Sequence, residues 1–198
     1  KQYIHYCQTV QYSKHDKVFE RIFKKMAKKI TKNICPTDPG KVYIIDAANI
    51  MHAGQGKVTQ KGYERLVALQ NHLHETNANK VSIIIVMHRR WLSDTITHDK
   101  SLSTDNKGTG DACNDGCGAR NIQSVLQSRE HTLVISTPFG YDDDVFIILC
   151  GLLLSKQLNS VYIITNDKFK QHMMAFQKST INQQHFSHWL SSTLVTHP

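Results

Sequence analysis

The sequence predicts an α/β fold of three layers, in which a parallel sheet carries helices on both faces. Short apolar runs of strand length alternate along the chain with segments whose apolar residues recur at helical spacing, which is typical of strand–helix–strand units. The apolar runs are continuous and do not alternate with polar residues, as expected for strands that are buried on both faces of a sheet.

Length and composition are consistent with one folded domain. The chain has 198 residues, of which 40% are hydrophobic and 20% are charged, so it can form a core and is not disordered throughout. The longest apolar runs, Val81–Met87 and Val145–Leu154, fall short of the roughly 20 residues of a membrane span. No apolar stretch follows the basic N-terminus as it does in a secretory signal. We therefore expect a cytoplasmic or nuclear protein that is not secreted and has no membrane partner.

The positive charge is concentrated at the N-terminus. The net charge is +8. Residues 1–34 hold nine Lys and Arg and two acids, a difference of +7, whereas residues 35–198 hold fifteen and fourteen, a difference of +1. Such an excess favours an acidic partner, with nucleic acid as the first candidate.

The first predicted element is an amphipathic helix over residues 14–32, because Phe19, Ile22, Phe23, Met26 and Ile30 recur at helical spacing. Basic residues cover the opposite face. Two main interpretations stay open: a helix packed on the domain with a solvated basic face, or a surface that contacts phosphates. A membrane-surface helix is less favoured, because the segment has little apolar bulk. In the second interpretation the contacting residues are Lys24, Lys25, Lys28 and Lys29.

The remaining elements follow a helix-breaking segment that contains Pro36, Pro39 and Gly40. We predict a basic extension over residues 1–40, a main domain over 41–180 and a tail or final helix over 181–198. Periodicity and apolar runs predict four strands, at Val42–Ile45, Val81–Met87, Leu133–Ser136 and Val161–Thr165. They predict helices at Tyr63–Glu75, Asn121–Ser128, Asp144–Leu154 and Lys168–Gln177. The polar segment Ser93–Ala119, with four glycines, is predicted to be a long loop.

Charged and amide side chains follow the four predicted strands. In chain order they are Asp46 and Asn49, then Arg89 and Arg90, then Asp142, Asp143 and Asp144, and lastly Asp167. The carboxyl ends of parallel strands meet at one edge of the sheet, where ligands bind. Asp143, Asp144 and Asp167, each taken alone, could simply cap a helix. Asp46 is harder to explain in a structural role, because strands disfavour Asp. Several carboxylates at one edge repel one another, however, and a divalent cation with a preference for oxygen ligands, Mg²⁺ or Mn²⁺, relieves that repulsion.

A metal ion beside arginines suits phosphate chemistry, because the ion activates water while the guanidinium groups hold the phosphate backbone. Other nucleotide and hydrolase signatures are missing from the sequence. It contains no Gly-x-Gly-x-x-Gly motif, no Gly-Lys-Ser/Thr of a phosphate-binding loop and no Gly-x-Ser-x-Gly elbow.

Several segments, in order and with similar spacing, resemble the NYN subgroup of PIN-like ribonucleases over roughly residues 40–178. Ile44 to Ile50 is similar to the Asp-Gly-x-Asn-Val signature of that subgroup. Thr137-Pro138 with Tyr141 to Phe146 resembles its Thr-Pro…Asp-Asp-x-Phe segment, and Ile164 to Asp167 resembles its Ser/Thr-Asn-Asp signature. The pair Arg89-Arg90 lies where Regnase-type enzymes carry basic residues. The pattern is most similar to Regnase-type RNases and the nuclease domain of protein-only RNase P.

The resemblance implies a PIN-like, Rossmann-like sheet and a metal-dependent endoribonuclease, a hydrolase of phosphodiester bonds that leaves a 5′-phosphate and a 3′-hydroxyl. It implies that Mg²⁺ or Mn²⁺ is held by Asp46, Asp143, Asp144 and Asp167. Asp142 falls outside the matching pair and is the less favoured ligand. Asn49 would orient the site through its amide, and Arg89 and Arg90 would contact the RNA backbone. The implied partner is single-stranded or structured RNA, and a homodimer is left open.

Two departures from the family pattern and two other functions stay open. Ala47 stands where the family carries Gly, and the loop Ser93–Ala119 matches no part of the pattern. The Cys113-x-x-x-Cys117 spacing, with histidines upstream, could bind Zn²⁺ or could be two ordinary loop cysteines. The alternatives to an endoribonuclease are a catalytically silent RNA-binding module on the same fold and a structure-specific DNA nuclease.

Overall fold

The computed structural model describes residues 17–34, 40–52, 60–78, 80–92, 95–96, 120–176 and 180–196. The helices in these ranges are α1 (Lys17–Asn33), α2 (Ala47–His52), α3 (Gln60–Thr76), α4 (Arg89–Leu92), α5 (Ile122–Gln127), α6 (Asp143–Leu154), α7 (Lys170–Phe176) and α8 (Thr180–Thr193). The strands are β1 (Lys41–Asp46), β2 (Val81–His88), β3 (Thr95–Ile96), β4 (Arg120–Asn121), β5 (Thr132–Thr137), β6 (Val161–Ile164) and β7 (Leu194–Val195). Strands and helices alternate through most of the chain, as predicted.

The main sheet has five strands in the order β5-β2-β1-β6-β7, and every neighbouring pair in it is parallel. Strands β3 and β4 form a separate antiparallel pair. Apolar side chains from the main sheet enter two distinct clusters. Helices therefore cover both faces of the sheet. The predicted three-layer α/β fold with a parallel sheet is therefore confirmed.

The order of the strands places a ligand-binding edge at the centre of the sheet. The chain moves outward from β1 to β2 and β5, and then crosses to the other side of β1 to form β6 and β7. In doubly wound sheets ligands bind at the carboxyl ends of the strands where this reversal occurs. In this chain the reversal lies between β1 and β6, whose residues Ile45 and Ile164 pair in register. Asp46 and the segment after Ile164 therefore meet at this point.

The first core lies under α1, α6 and α8 and is built around residues such as Ile44, Phe146 and Leu190. Helix α6 is apolar on nearly all sides, and residues from Val145 to Gly151 are buried without a break. The second core lies under α2, α3 and α5 and includes Leu66 and Leu126. Because α6 packs against the sheet and, through Phe146, against Phe19 of α1, its first turn is positioned at the edge where the strands end.

Helix α1 is an integral part of the first core. Phe19, Met26 and Ile30 are buried, and the Phe19 ring lies 5.6 Å from the ring of Tyr141, measured between centroids. The prediction that this basic helix packs on the domain is thus confirmed. The phosphate-contacting role and the domain boundaries at residues 40 and 180 stay predictions.

Two short helices next to the site were not predicted. Helices α2 and α4 have six and four residues, too few for a periodic apolar pattern to identify them. Helix α2 begins at Ala47 directly after β1. The departure from the family's Gly at this position is harmless, because a helical residue needs no positive φ.

Among the residues that the structure describes, no helix combines the length and apolar character needed to cross a membrane. Most of the predicted loop Ser93–Ala119, including Cys113 and Cys117, lies outside the described ranges, so the zinc hypothesis stays untested. Cys150 is a free, buried cysteine in α6. Burial raises the pKa of its thiol to about 12, which leaves it protonated and chemically inert at neutral pH.

Candidate functional site

Asp46 is a buried carboxylate at the carboxyl end of β1, with only 4% of its surface exposed. The backbone N–H of Asn49 donates a hydrogen bond to Oδ1 at 3.0 Å. The hydroxyl of Thr165 donates one to Oδ2 at 2.8 Å. Thr165 follows β6, so this bond joins the two strands between which the strand order reverses. Asp46 is held in one orientation by both neighbours.

Asn49 ties the segment after β1 to the segment after β6. Its side-chain Oδ1 accepts a hydrogen bond from the backbone N–H of Asn166 at 3.0 Å. Helix α2, which carries Asn49, is pressed against α3 at Gly62. A Cβ at that glycine would lie 2.6 Å from the carbonyl oxygen of Met51, so a larger residue would force the helices apart. This close packing positions the Asn49 amide beside Asp46.

The first turn of α6 carries the next three acids. Asp142 is the N-cap, and its Oδ1 accepts a hydrogen bond from the backbone N–H of Asp144 at 3.1 Å. Asp143 and Asp144 occupy the first turn, where the helix dipole stabilises negative charge. The N-cap is therefore Asp142, whereas the sequence suggested capping by Asp143 and Asp144. Capping does not account for these two side chains, although both lie where the helix dipole favours acids.

The segment after β6 turns sharply before α7 begins. The N–H of Asp167 donates to Thr165 Oγ1 at 3.0 Å, and the N–H of Phe169 donates to Asp167 Oδ1 at 2.7 Å. Phe169 has a φ of +49°, which is uncommon for a residue other than Gly. Its ring is buried in the first core and lies 6.2 Å from the ring of His172. The turn therefore sets where His172 points.

His172 faces the acids of α6. It is 5% exposed, and its Nε2 lies 3.3 Å from Asp144 Oδ2 and 3.7 Å from Asp142 Oδ2. One ligand atom from each of these three residues lies within 4.8 Å of the other two. Asp142, Asp144 and His172 could therefore hold a metal ion. His172 is absent from the ligand set predicted from the sequence, and Asp142 was its less favoured alternative.

The four acids of the predicted cluster line a single open cleft with a volume of about 410 Å³, which we call the acidic cleft. Other lining residues of the acidic cleft include Asn49, His88, Arg90 and Asp142. The four acids are Asp46, Asp143, Asp144 and Asp167. Carboxylates from three separate strand ends thus come together as the parallel sheet predicted.

A second cleft of about 540 Å³ adjoins the first. It shares Asn49, Asp144 and Asp167 with the acidic cleft and adds His172. It also contains two cationic side chains that the sequence analysis did not single out, Lys168 and Lys170. Negative charge at the centre of the site is therefore bordered by positive charge on the β6 side.

Three acids of the site, Asp46, Asp142 and Asp143, are hard to ionise together. Burial, together with the charges of Asp144 and Asp143, raises the pKa of Asp46 to about 6, against the opposing effect of hydrogen bonds from Asn49 and Thr165. Burial also raises the pKa values of Asp142 and Asp143. Desolvation and like charges both disfavour the carboxylate form. A cation among these groups would reverse both effects and bring the pKa values down.

One buried oxygen at the site has no donor. Asp143 Oδ1 and the nearby Thr137 Oγ1 are both buried without a hydrogen-bond partner among the described residues. The Thr137 hydroxyl still lowers the pKa of Asp143 by its proximity, although the two form no bond of good geometry. Leaving a buried carboxylate oxygen unsatisfied is unfavourable. A hard cation would satisfy it, so these residues fit Mg²⁺ or Mn²⁺.

The two arginines after β2 occupy different places. Arg90 lines the acidic cleft, and its guanidinium lies 4.3 Å from the centre of the Trp91 ring, a distance that favours cation–π attraction. Arg89 is exposed and lines a neighbouring pocket instead. The structure thus brings Arg90, but not Arg89, to the acids.

The four lysines of α1 that were predicted to contact phosphates lie outside both clefts. Lys24 pairs with Glu20 at 2.7 Å on an exposed surface, where such pairs contribute little. Lys29 Nζ donates to the carbonyl oxygen of Val134 at 2.8 Å, so its ammonium group is occupied by the sheet. Lys25 and Lys28 are exposed and are the better candidates for a phosphate contact.

Replacing Lys25 and Lys28 together by Glu is expected to weaken RNA binding and to flatten its salt dependence. Each lost contact with a single-stranded phosphate lowers the slope of log K against log salt by about 0.7, so loss of two should lower it by about 1.4. Deleting residues 1–34 would not isolate this effect, since it also removes Phe19 and Ile30 from the core. Titrations of labelled RNA at several salt concentrations measure the slope.

The control for this variant is the same charge change at Lys41 and Lys80, which are exposed at the opposite, amino end of the sheet. We expect a smaller change in slope from that control. A slope that Lys25→Glu and Lys28→Glu leave unchanged would mean that α1 only contributes packing.

No sequence pattern pointed to His172, Lys168 or Lys170 as site residues, and Thr165 was noted only as part of the Ser/Thr-Asn-Asp signature. His172 lies five positions after Asp167, at the start of a helix that was predicted to begin beside the acids. That position could have indicated a site residue, because the first residues of a helix that starts at the ligand-binding edge lie close to the site. A search for pairs of histidines at metal-binding spacing on one helix does not find a single histidine of this kind.

Comparison of the chain with models of known families, with curated proteins and with solved structures found no match. The likeness to PIN-like ribonucleases therefore rests only on the sequence motifs quoted above.

Proposed function

We propose that this protein is a metal-dependent endoribonuclease that hydrolyses the phosphodiester backbone of RNA. The observation that carries the proposal is the convergence of Asp46, Asp143, Asp144 and Asp167 on one open cleft. A structural role for a single acid is common, but carboxylates gathered at one edge repel one another, and a bound cation would relieve that repulsion. The position where the strand order reverses is also the usual ligand site of such sheets.

Two overlapping sets of residues would hold an ion. Asp142, Asp144 and His172 have ligand atoms within 4.8 Å of one another, and the four acids of the acidic cleft share Asp144 with that group. A divalent cation bound there activates water and offsets the negative charge that develops on the phosphate. The mixed ligand set bears on the choice of ion. Carboxylates suit Mg²⁺ and Mn²⁺ alike, whereas the imidazole of His172 is better tolerated by Mn²⁺. We therefore expect Mn²⁺ to support activity at least as well as Mg²⁺.

Other side chains of the site bind and orient the substrate. Arg90, at the rim of the acidic cleft, is placed to hold a phosphate of the backbone. Lys168 and Lys170 border the adjoining cleft and would hold the strand on the other side of the acids. Asn49 keeps the segments after β1 and β6 at a constant separation through its bond to Asn166. The openness of the site suits cleavage within a strand.

The choice of RNA as the substrate depends on the resemblance to NYN-type ribonucleases. The acids and basic residues on which the proposal rests would serve a DNA phosphate equally well, and specificity must be argued from groups that reach the sugar. RNA and DNA are therefore compared directly in the test.

We expect the protein to cleave labelled single-stranded or hairpin RNA in Mg²⁺ or Mn²⁺, and to be inactive in EDTA, because the acids cannot activate water without a cation. The measurement is product formation on a denaturing gel, with single-stranded DNA of the same sequence as the comparison. Restoring the metal to the EDTA-treated protein should restore cleavage.

Cleavage that persists in EDTA would contradict the metal-dependent mechanism. Binding of RNA without cleavage under any metal condition would instead support the silent RNA-binding module. Preferential cleavage of DNA would support the structure-specific DNA nuclease.

A further inference from the structure

A pocket without acidic side chains lies beside the acidic cleft, at the carboxyl ends of β2 and β5. Its volume is about 560 Å³, and its lining residues are Arg89, Arg90, Leu92, Gln123, Ser136 and Phe139. Two arginines, an aromatic ring and two neutral polar groups form a surface of mixed character. That combination suits a ligand that carries both a negative charge and a flat apolar face.

Phe139 is the most exposed large apolar side chain of the described residues, at 64%. It follows β5 in a tight turn in which Gly140 adopts a φ of +83°, a conformation that suits Gly. The turn directs Phe139 away from both cores. A single exposed aromatic ring is common, but a ring beside two arginines is the combination with which proteins bind single-stranded nucleic acid.

The ring of Phe139 is held in a fixed relation to Arg90. His88 lies against it with ring centroids 5.3 Å apart and planes at 72°. The backbone N–H of Arg90 donates to His88 Nδ1 at 3.2 Å. A chain of contacts therefore links the aromatic ring, the histidine and the start of α4, so that the ring and the arginines are positioned together.

Arg90 lines both this pocket and the acidic cleft. A strand whose phosphate is held by Arg90 would therefore extend from the acids directly into the neighbouring pocket. The β5 strand lies two strands away from β1 in the sheet, which corresponds to about 10 Å. The pocket is thus within reach of a nucleotide close to the cleavage position.

We propose that Phe139, Arg89 and Arg90 form a subsite for an unpaired nucleotide, with its base stacked on Phe139 and its phosphate bound by the arginines. The proposal rests on the proposed function, since it assigns a position along the same RNA strand. Aromatic rings stack on bases of any sequence. They do so only where the base is free of its neighbours, so the subsite selects single-stranded segments without reading sequence.

The test is the affinity of short, unstructured RNA for Phe139→Ala, measured by fluorescence anisotropy in EDTA so that no turnover is needed. Loss of one stacking contact should raise Kd by about 5- to 100-fold. Phe139→Trp should retain the affinity of the parent protein, because it preserves the stacking surface. Duplex RNA of equal length should bind Phe139→Ala and the parent protein equally well.

An abasic scan makes the test specific to stacking. One abasic nucleotide is moved stepwise along the RNA. In the parent protein a single position should weaken binding to the same extent as Phe139→Ala, and in Phe139→Ala the abasic nucleotide at that position should have no further effect. Val195→Ala, which shortens another exposed apolar side chain, should bind like the parent protein. Thermal melts establish that each variant is folded.

Unchanged affinity of Phe139→Ala for single-stranded RNA would overturn the proposal. So would an equal loss for duplex and single strand with the abasic effect preserved, since Phe139 would then support a different contact. Failure of the nuclease assignment gives a different result: no cleavage in any metal, with binding that still depends on Phe139. The two proposals can therefore fail independently.

Discussion

Asp144→Asn is expected to abolish RNA cleavage while the fold and RNA binding are retained. Asp144 lines both clefts, its Oδ2 lies 3.3 Å from His172 Nε2, and its charge acts on Asp46. The amide keeps the size of the side chain but removes the negative charge that would hold the ion. The expected loss exceeds the roughly 10- to 100-fold decrease typical of residues that only support a metal ligand.

RNA binding by this variant should be unchanged or tighter, because one negative charge facing the phosphate backbone is gone. Single-turnover cleavage and anisotropy separate the two effects. Asp167→Asn should behave in the same way, since its Oδ1 can still accept the bond from the Phe169 N–H. Both variants should melt close to the temperature of the parent protein.

The matched control is Glu130→Gln, which makes the same change from carboxylate to amide. Glu130 is 90% exposed in the turn before β5, at the end of the sheet opposite the site. It should cleave at the rate of the parent protein. Full activity of both Asp144→Asn and Asp167→Asn would contradict the assignment of the acidic cleft as the catalytic site.

Asp46→Asn is expected to make the metal-free protein more stable while it removes activity. Burial raises the pKa of Asp46 to about 6 from an ordinary value of 3.8. Above that pKa the folded protein must hold a buried charge. The difference of about two pKa units corresponds to about 3 kcal/mol, so we expect the free energy of unfolding in EDTA to rise by about 1–3 kcal/mol.

The pH dependence follows from the same shift. The folded state binds the Asp46 proton more tightly than the unfolded chain, so unfolding releases a proton between the two pKa values of 3.8 and about 6. The contribution of this group to stability is complete below the lower value and is lost as the pH rises through the upper one. The advantage of Asp46→Asn should therefore be small near the lower value and largest above about pH 7.

Urea unfolding of both proteins in EDTA across this range measures the difference. The asparagine can accept from the Asn49 N–H through Oδ1 and donate to Thr165 Oγ1 through Nδ2, so the bonds around Asp46 have counterparts in the variant. Adding Mg²⁺ or Mn²⁺ should stabilise the parent protein more than the variant. A variant less stable than the parent protein above neutral pH would contradict this account of Asp46.

These two expectations describe one trade-off. The fold retains a buried carboxylate at the end of β1 although an amide would be more stable there, which is typical of functional sites. Asp143 contributes in the same sense, with a buried oxygen that lacks a hydrogen-bond donor among the described residues. A bound cation would offset the buried charge of Asp46 and would satisfy the buried oxygen of Asp143. The free energy of unfolding should therefore increase with metal concentration.

The larger helices and the central strands were predictable because their residues carry strong local signals. The run from Val81 to Met87 is almost wholly apolar, which predicts a strand buried on both faces of the sheet. The structure places β2 at Val81–His88. The helix predicted from Asp144 to Leu154 differs from α6 by one residue. Helix α2 and strand β7 could not be predicted in this way, since six and two residues are too few to show a period.

The candidate site was predictable only in part. Asp46, Asp143, Asp144 and Asp167 can be grouped by sequence position, because parallel strands must deliver the residues that follow them to one edge. His172 cannot be grouped in this way, because its position depends on the turn at Phe169, whose φ of +49° no sequence pattern indicates. Arg89 and Arg90 are adjacent in sequence, yet the direction of α4 brings only Arg90 to the acids.

The sequence by itself determined the class of fold, because hydrophobic periodicity identifies strands and helices from neighbouring residues. It also identified the acids, because the residues that follow parallel strands lie at one edge of the sheet. The tertiary structure decided which side chains share a cleft and how each is charged. Burial, not sequence position, raises the pKa of Asp46. Packing of α1 against α6 also turned an apparently separate basic segment into part of the core. Such effects depend on contacts between residues that are far apart in the chain, and these contacts form only when the sheet brings the residues together.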